Sequence, residues 1–304
     1  MDIYLAKPRG FCAGVDLAVD IVNLALKKYG PPIYVKHQIV HNSVVVADVE
    51  SRGAITVESV DEVPENSIVV FSAHGSPPSD YLRAKELNLT VLDAICPLVT
   101  KVHNEAKKYS KEGKKIILIG HKGHQEVIGT SGQTKMDIID DKNPNIPKYK
   151  KNSEIAVLTQ TTLSVKDTLK AVESVQKKYP NSIIRNDICY ATTNRQKAIA
   201  KLASKVDLVL VIGAKNSSNC NRLKETAELT GKPAYLINGP EEINDKWIKN
   251  KNKIAITSGA STPEIQVKSV IKYLSPDNII ESKIDDEDVL FAIPRPLRFL
   301  REKK

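Results

Sequence analysis

Aromatic residues are scarce, 5% of 304 residues, with four Phe, one Trp and ten Tyr. A core must therefore be built mainly from Ile, Val, Leu and Ala. Cysteine is scarce too. There are four, and no two form a C-x-x-C pair, which removes support for a zinc ribbon or a thioredoxin-type motif. Long apolar runs are missing. The longest candidates, 68–71 (IVVF), 116–119 (IILI) and 208–212 (LVLVI), fall far short of the roughly 18 residues of a membrane helix. No G-x-G-x-x-G follows a strand pattern and no G-x-x-x-x-G-K-[ST] loop occurs, so the usual nicotinamide, flavin and ATP sites are unsupported. The opening MDIYLAKPRG carries Asp2, Lys7 and Pro8 where a secretory signal is apolar. The expectation is a cytoplasmic protein with no membrane partner.

What is present is an ordinary globular mix. Hydrophobic residues make up 41% and charged residues 27%, which argues against disorder, collagen and coiled coil. The length suits two domains or three small ones. The balance of 45 basic to 36 acidic residues, a net charge of +9, favours an anionic substrate, an acidic protein partner or nucleic acid. The lysine runs at 107–115 and 246–253 lack interleaved aromatics and read as solvated surface. With few aromatics and no RNP-type motif, nucleic acid is not the expected partner.

Three cysteines share a context. Cys12 stands in PRGFCAGVDLAV, Cys96 in LDAICPLVT and Cys189 in NDICYATTNRQ. Each reads as a short strand, a turn holding the Cys, then an amphipathic helix. Ala18, Ile21, Val22 and Ala25 stripe the first helix, which stops at Lys27-Lys28-Tyr29-Gly30-Pro31. Pro97 suits the first position of the second helix. In the third, Ala198, Ile199, Leu202 and Ala203 form the stripe, and Thr192 or Thr193 offers a cap. Downstream, polar loop residues recur at similar offsets: His41, His124 and Ser217, then His74, Thr161 and Ser261. The pattern predicts an α/β protein of three pseudo-equivalent units of roughly 90 residues, a trefoil with parallel sheets around a central cavity. The boundaries are 1–96, 97–187 and 188–280, with 281–304 a C-terminal tail packing on the domains. In parallel sheets, ligands sit beyond the carboxyl ends of the strands. Generic α/β periodicity is the blander alternative, weakened by three cysteines in matching places.

A Cys at a helix N-terminus lies in positive potential, which favours thiolate. Three such thiolates would bind a soft metal centre. Zinc would need a fourth ligand, a His or water. An iron–sulfur cubane held by three Cys would leave one iron open, a Lewis acid for a substrate oxygen. Cys220, in KNSSNCNRLKE, falls outside the trio and reads as packing. Ser217, Ser218, Asn219 and Ser261, with His41, His74 and His124, are neutral or cationic donors suited to an anion such as a diphosphate. Glu126 is either a proton donor, with Thr161 and Thr162 nearby, or a carboxylate stabilised by a helix dipole.

Taken together, PRGFCAGVDLAV, QIVHN, SAHGS, DAICPLVTKVH, GHKGHQEVIGT, TQTTLS, DICYATTNRQ, KNSSNCNRL and SGASTPE resemble the LytB-type 4-hydroxy-3-methylbut-2-enyl diphosphate reductases, the last enzymes of non-mevalonate isoprenoid synthesis. The resemblance runs from residue 8 to about residue 264. It implies a [4Fe-4S] cluster on Cys12, Cys96 and Cys189 with one open iron. It also implies diphosphate binding by His41, His74, Ser217, Ser218, Asn219 and Ser261, with His124 facing the substrate. Glu126 matches the proton-delivery residue, and Thr161 the residue near the substrate hydroxyl. The implied reaction is two-electron removal of that hydroxyl, giving isopentenyl and dimethylallyl diphosphate. Electrons would come from a ferredoxin or flavodoxin, whose acidity suits the charge of +9. A monomer or weak homodimer is expected. Two positions depart from the family pattern: Gln125, where many members have Pro, and Cys220, where a small polar residue is more common.

Overall fold

The computed structural model describes residues 1–283 and 287–300. The chain divides into two compact units. The first comprises Met1–Val15, His41–Val45 and Cys189–Leu290, and the second Asp16–Val40, Val46–Ile188 and Phe291–Lys304. Both are α/β with parallel sheets, the class that the alternating pattern predicts.

The first unit holds a five-stranded sheet in the order Ala234–Ile237, Leu208–Ile212, Lys253–Ser258, Asp2–Lys7, Asn278–Lys283. Every pairing in it is parallel. The run LVLVI is apolar throughout because its strand is covered on both faces. Alternate side chains point to opposite sides. Leu208, Leu210 and Ile212 meet Val267, Val270 and Leu274, whereas Val209 and Val211 meet Ile199, Leu202 and Leu223. The N-terminal strand lies inside this sheet, with Ile3 opposite both Ile254 and Ile279. The first residues of the chain are thus paired with its last third.

The second unit holds two four-stranded parallel sheets. One runs Ala54–Val57, Ile33–Lys36, Ile68–Phe71, Thr90–Asp93, and the other Asp137–Ile139, Lys115–Ile119, Ile155–Thr159, Ile183–Ile184. The run IILI repeats the two-faced logic: Ile116 and Leu118 pack with Val102, Ala106 and Val127, Ile117 and Ile119 with Leu163, Ala171 and Val175. Of the expected tail, 281–283 and 287–300 are described; the rest lies outside the described residues. Within the second unit Leu297 is fully buried, and Lys28 Nζ donates to Pro296 O at 2.8 Å.

The three cysteine-led helices are Ala13–Tyr29, Pro97–Lys111 and Tyr190–Ala203. The first ends on Lys27 and Lys28, cations that suit the negative end of the dipole. The third starts earlier than the Thr192 or Thr193 cap would have it. Cys189 is its N-cap, and the two threonines lie within the first turn, where Thr193 Oγ1 donates to Tyr190 O. Among the described residues no helix is long and apolar enough to cross a membrane.

Candidate functional site

In the first unit the polar residues gather where strands Leu208–Ile212 and Lys253–Ser258 end. Gly259-Ala260-Ser261 is the hub. Cys12 N donates to Ala260 O at 3.2 Å, and Ala260 N donates to Asn219 Oδ1 at 3.2 Å. Asn219 Nδ2 reaches Thr192 Oγ1 at 3.3 Å, which lies 3.2 Å from Cys189 Sγ. One loop therefore links Cys12, Cys189 and Asn219 through main-chain and amide bonds. Ser261 Oγ donates to His41 O at 3.0 Å. Ser217 caps helix Ser218–Glu228, accepting from Cys220 N. Ser217, Ser218, Asn219 and Ser261 are all buried.

Two residues that the sequence reading gave no role complete this group. Asn42 Oδ1 accepts from Val44 N and Val45 N, and its Nδ2 donates to Gln266 Oε1 at 2.9 Å. Both side chains are buried. An Asn immediately before a helical pattern is a recognisable local signal. Gln266 sits inside a helix, where nothing in the sequence marks it.

The expectation that helix N-termini lower the cysteine pKa values fails at Cys12. Burial pushes this thiol up. The charge of Arg195 and the N–H groups of Val15 and Gly14 pull it down, but lost hydration outweighs them.

The second unit carries Cys96, His74, His124, Glu126 and Thr161. Cys96 is the N-cap of helix Pro97–Lys111, and its N–H donates to Ala73 O at 3.0 Å, beside His74. The His74 ring meets the His124 ring edge-on at 6.1 Å. His124 caps helix Gln125–Ser131, its Nδ1 accepting from Glu126 N at 3.2 Å. That role leaves Nε2 to carry the proton of the neutral ring.

Glu126 is 3% exposed. Its Oε1 accepts from Thr161 N at 2.6 Å, and its Oε2 from Thr161 Oγ1 at 2.9 Å. Burial raises its pKa to about 7, the two Thr161 bonds pull it down, and Asp187 adds a smaller push upward. Glu126 does stand in the first turn of a helix, yet desolvation defeats the dipole and makes it a carboxyl that exchanges its proton near neutral pH.

Gln133 adds a contact that no motif announced. Its Nε2 donates to Ser76 O at 3.1 Å and to Gly129 O at 2.8 Å. The helix lies close on the His74 loop: a Cβ at Gly129 would come within 2.8 Å of Gly75 O.

Comparison with known proteins identifies the family. The sequence model of the family described as LytB protein matches residues 3–275. The chain belongs to the LytB family. It is 49% identical to the 4-hydroxy-3-methylbut-2-enyl diphosphate reductase of Haemophilus ducreyi over 320 residues, covering 100% of both. The Histophilus somni protein of the same name is 50% identical over 309 residues, with 98% of each covered. Among solved structures, the E-1-hydroxy-2-methyl-but-2-enyl-4-diphosphate reductase of Plasmodium falciparum superposes with a TM-score of 0.92 at 37% identity, covering 98% of this chain and 97% of that one.

The donors of this LytB chain suit a thiolate-held group. Cys12, Cys96 and Cys189 are partly exposed reduced thiols, each directly at a helix start. Cys220 differs from them. It is fully buried, its thiol is raised to about 11 by burial, and its sulfur lies between Gly213 and Gly259. Soft sulfur donors of the first kind fit an iron–sulfur cluster.

Proposed function

We propose that this chain is a 4-hydroxy-3-methylbut-2-enyl diphosphate reductase. It removes the substrate hydroxyl as water with two electrons and two protons, leaving isopentenyl or dimethylallyl diphosphate. Full-length identity to reductases of that name supports the reaction. The observation that carries the chemistry is the buried Glu126–Thr161 pair, because hydroxyl loss needs a proton at the departing oxygen.

In this reading Cys12, Cys96 and Cys189 hold a [4Fe-4S] cluster with one open iron. When bound, the cluster supplies the electrons and a Lewis-acid iron. The protein's own groups do the rest. His41, His74, Ser217, Ser218, Asn219 and Ser261 bind the diphosphate, with His124 on the substrate. These are N–H and O–H donors, which anions favour. Thr161 orients Glu126 and the departing hydroxyl. Glu126 holds the proton and gives it up, as a carboxyl titrating near 7 can. An acidic ferredoxin or flavodoxin delivers the electrons, steered by the charge of +9.

Anaerobic iron and sulfide analysis with a turnover assay tests the reading. Four irons and four sulfides at full loading are expected, with activity on the diphosphate. Replacement of Cys12, Cys96 or Cys189 by Ala should remove both cluster and activity. Zinc in place of iron, or iron retained in all three variants, would overturn it.

A further inference from the structure

Arg195 has the largest side chain that is fully enclosed among the described residues, with 0% exposure. It stands on helix Tyr190–Ala203 in the first unit. Its Nη2 donates to Gly10 O at 2.8 Å, and its Nη1 to Ala191 O at 3.0 Å. The same Nη1 meets Glu287 Oε1 and Oε2 at 2.8 and 2.9 Å. A guanidinium carries its charge at every accessible pH, so burying it is costly unless it is paired and hydrogen-bonded. Glu287, 12% exposed at its side chain, is the pairing charge.

The location of these bonds gives them meaning. Gly10 lies two residues before Cys12, and Ala191 two residues after Cys189. One side chain thus ties the loop that carries Cys12 to the first turn of the helix that Cys189 caps. The bond to Ala191 O is local to the helix, so the long-range hold is the one on Gly10 O. The loop at Gly10 has a second support, Gly10 N donating to Ser258 Oγ at 2.9 Å, so Arg195 holds it from the carbonyl side.

We infer that Arg195, held by Glu287, is a positioning residue that braces the Cys12 loop against the start of the helix that Cys189 caps and sets a positive charge beside both. The inference rests on the cysteine-held cluster of the proposed function. The brace presents two sulfurs at a fixed spacing before any group binds, and so lowers the ordering cost of binding. At Cys12 the pull of Arg195 outweighs the opposing push of Glu287, so the pair leaves a net positive influence that favours the electron-rich reduced state of a bound cluster.

The test uses anaerobically reconstituted holoenzyme of the wild type, Arg195→Met, Arg195→Lys and Glu287→Gln. Three quantities are read: the rate of iron loss to a ferrous chelator, the reduction potential, and the melting temperature of the metal-free protein. Arg195→Met should release iron at least tenfold faster and shift the potential to a more negative value. Arg195→Lys keeps the charge but not the fork, so its potential should stay near that of wild type while iron release still accelerates. A role confined to the fold would change melting and leave the potential alone. Wild-type release rates and potential in a folded Arg195→Met protein would overturn the inference. If that variant does not fold, unchanged iron release in Arg195→Lys overturns it. A wild type holding no iron sinks the cluster reading itself, an outcome distinct from either.

Discussion

Two buried ionisable side chains, one in each unit, have opposite fates. Arg195 in the first unit is matched by a carboxylate and two carbonyls. Glu126 in the second receives one N–H and one O–H from Thr161, with no cation among the causes that set its pKa, and Asp187 adds negative charge. Both lose water. The first is locked in one charge state. The second sits near the point where either state is populated. The same structural step, a strand running through a polar loop into a helix, can fix a charge or leave a proton mobile. The partner's sign decides which. A mobile proton is useful where a hydroxyl must leave as water, and a fixed charge where a group must be held.

The largest effect should come from removing the mobile proton. Glu126→Gln keeps the shape and can still pair with Thr161, since the amide N–H can donate to Oγ1. It should retain substrate binding and iron but lower kcat by about a hundredfold or more, the usual worth of a positioned general acid. Steady-state kinetics with an artificial reductant reads this directly, and near-normal kcat would take Glu126 out of the mechanism.

The same substitution sharpens the comparison through stability. Glu126 has a folded pKa of about 7 against 4.5 for an unperturbed Glu. A raised carboxyl binds more protons folded than unfolded, so its contribution is fully present below pH 4.5 and fades as pH climbs through 7. The amount at stake is roughly 3 kcal/mol. Urea unfolding of the metal-free protein should show the wild type losing stability from pH 5 to pH 8 relative to Glu126→Gln, whose neutral amide is indifferent to pH. Parallel stability curves would mean that Glu126 is ordinarily charged in the folded state.

Thr161→Val makes a smaller change in the same place. It deletes the O–H donated to Oε2 and keeps the main-chain donor to Oε1. A hydrogen bond to a charged group is worth about 1.5–3 kcal/mol, so the Glu126 pKa should rise by about one to two pH units. The alkaline limb of the kcat profile should move upward by that amount, while peak kcat falls less than in Glu126→Gln. A limb that stays in place would show that the hydroxyl serves the substrate alone.

Much of this was readable in the sequence where the signal was local. The helices after the three cysteines follow from their apolar stripes, and the parallel sheets follow from the runs IILI and LVLVI. Glu126 was legible as a candidate because the loop GHKGHQE places it two residues after His124. Its proton affinity was not, because that depends on being walled in and on Asp187, which is remote in sequence. Asn42, Gln133, Gln266 and Arg195 escaped for a related reason. Each gains its meaning from a partner far along the chain, as Arg195 does from Gly10 and Glu287. The N-terminal strand shows the same limit at the level of fold. Its short apolar run marks a strand, but nothing in MDIYLAK names Lys253–Ser258 and Asn278–Lys283 as its neighbours.

The cysteines offer the mildest test of the contrast between held and mobile groups. Cys220 shares the first unit with Cys12 and Cys189 but not their setting. A Cβ placed on Gly213 or Gly259 would lie 2.5 or 2.2 Å from its sulfur, so the thiol fills the space that both glycines leave. Unlike the other three, Cys220 does not stand directly at a helix start, and it is fully buried, its thiol raised to about 11 by burial. Cys220→Ser should leave iron per chain and chelator-release rate unchanged and lower stability by about 1 kcal/mol, from exchanging a buried sulfur for a smaller polar atom. Loss of iron in this variant would place a fourth sulfur at the metal and undo the distinction between packing and ligand cysteines.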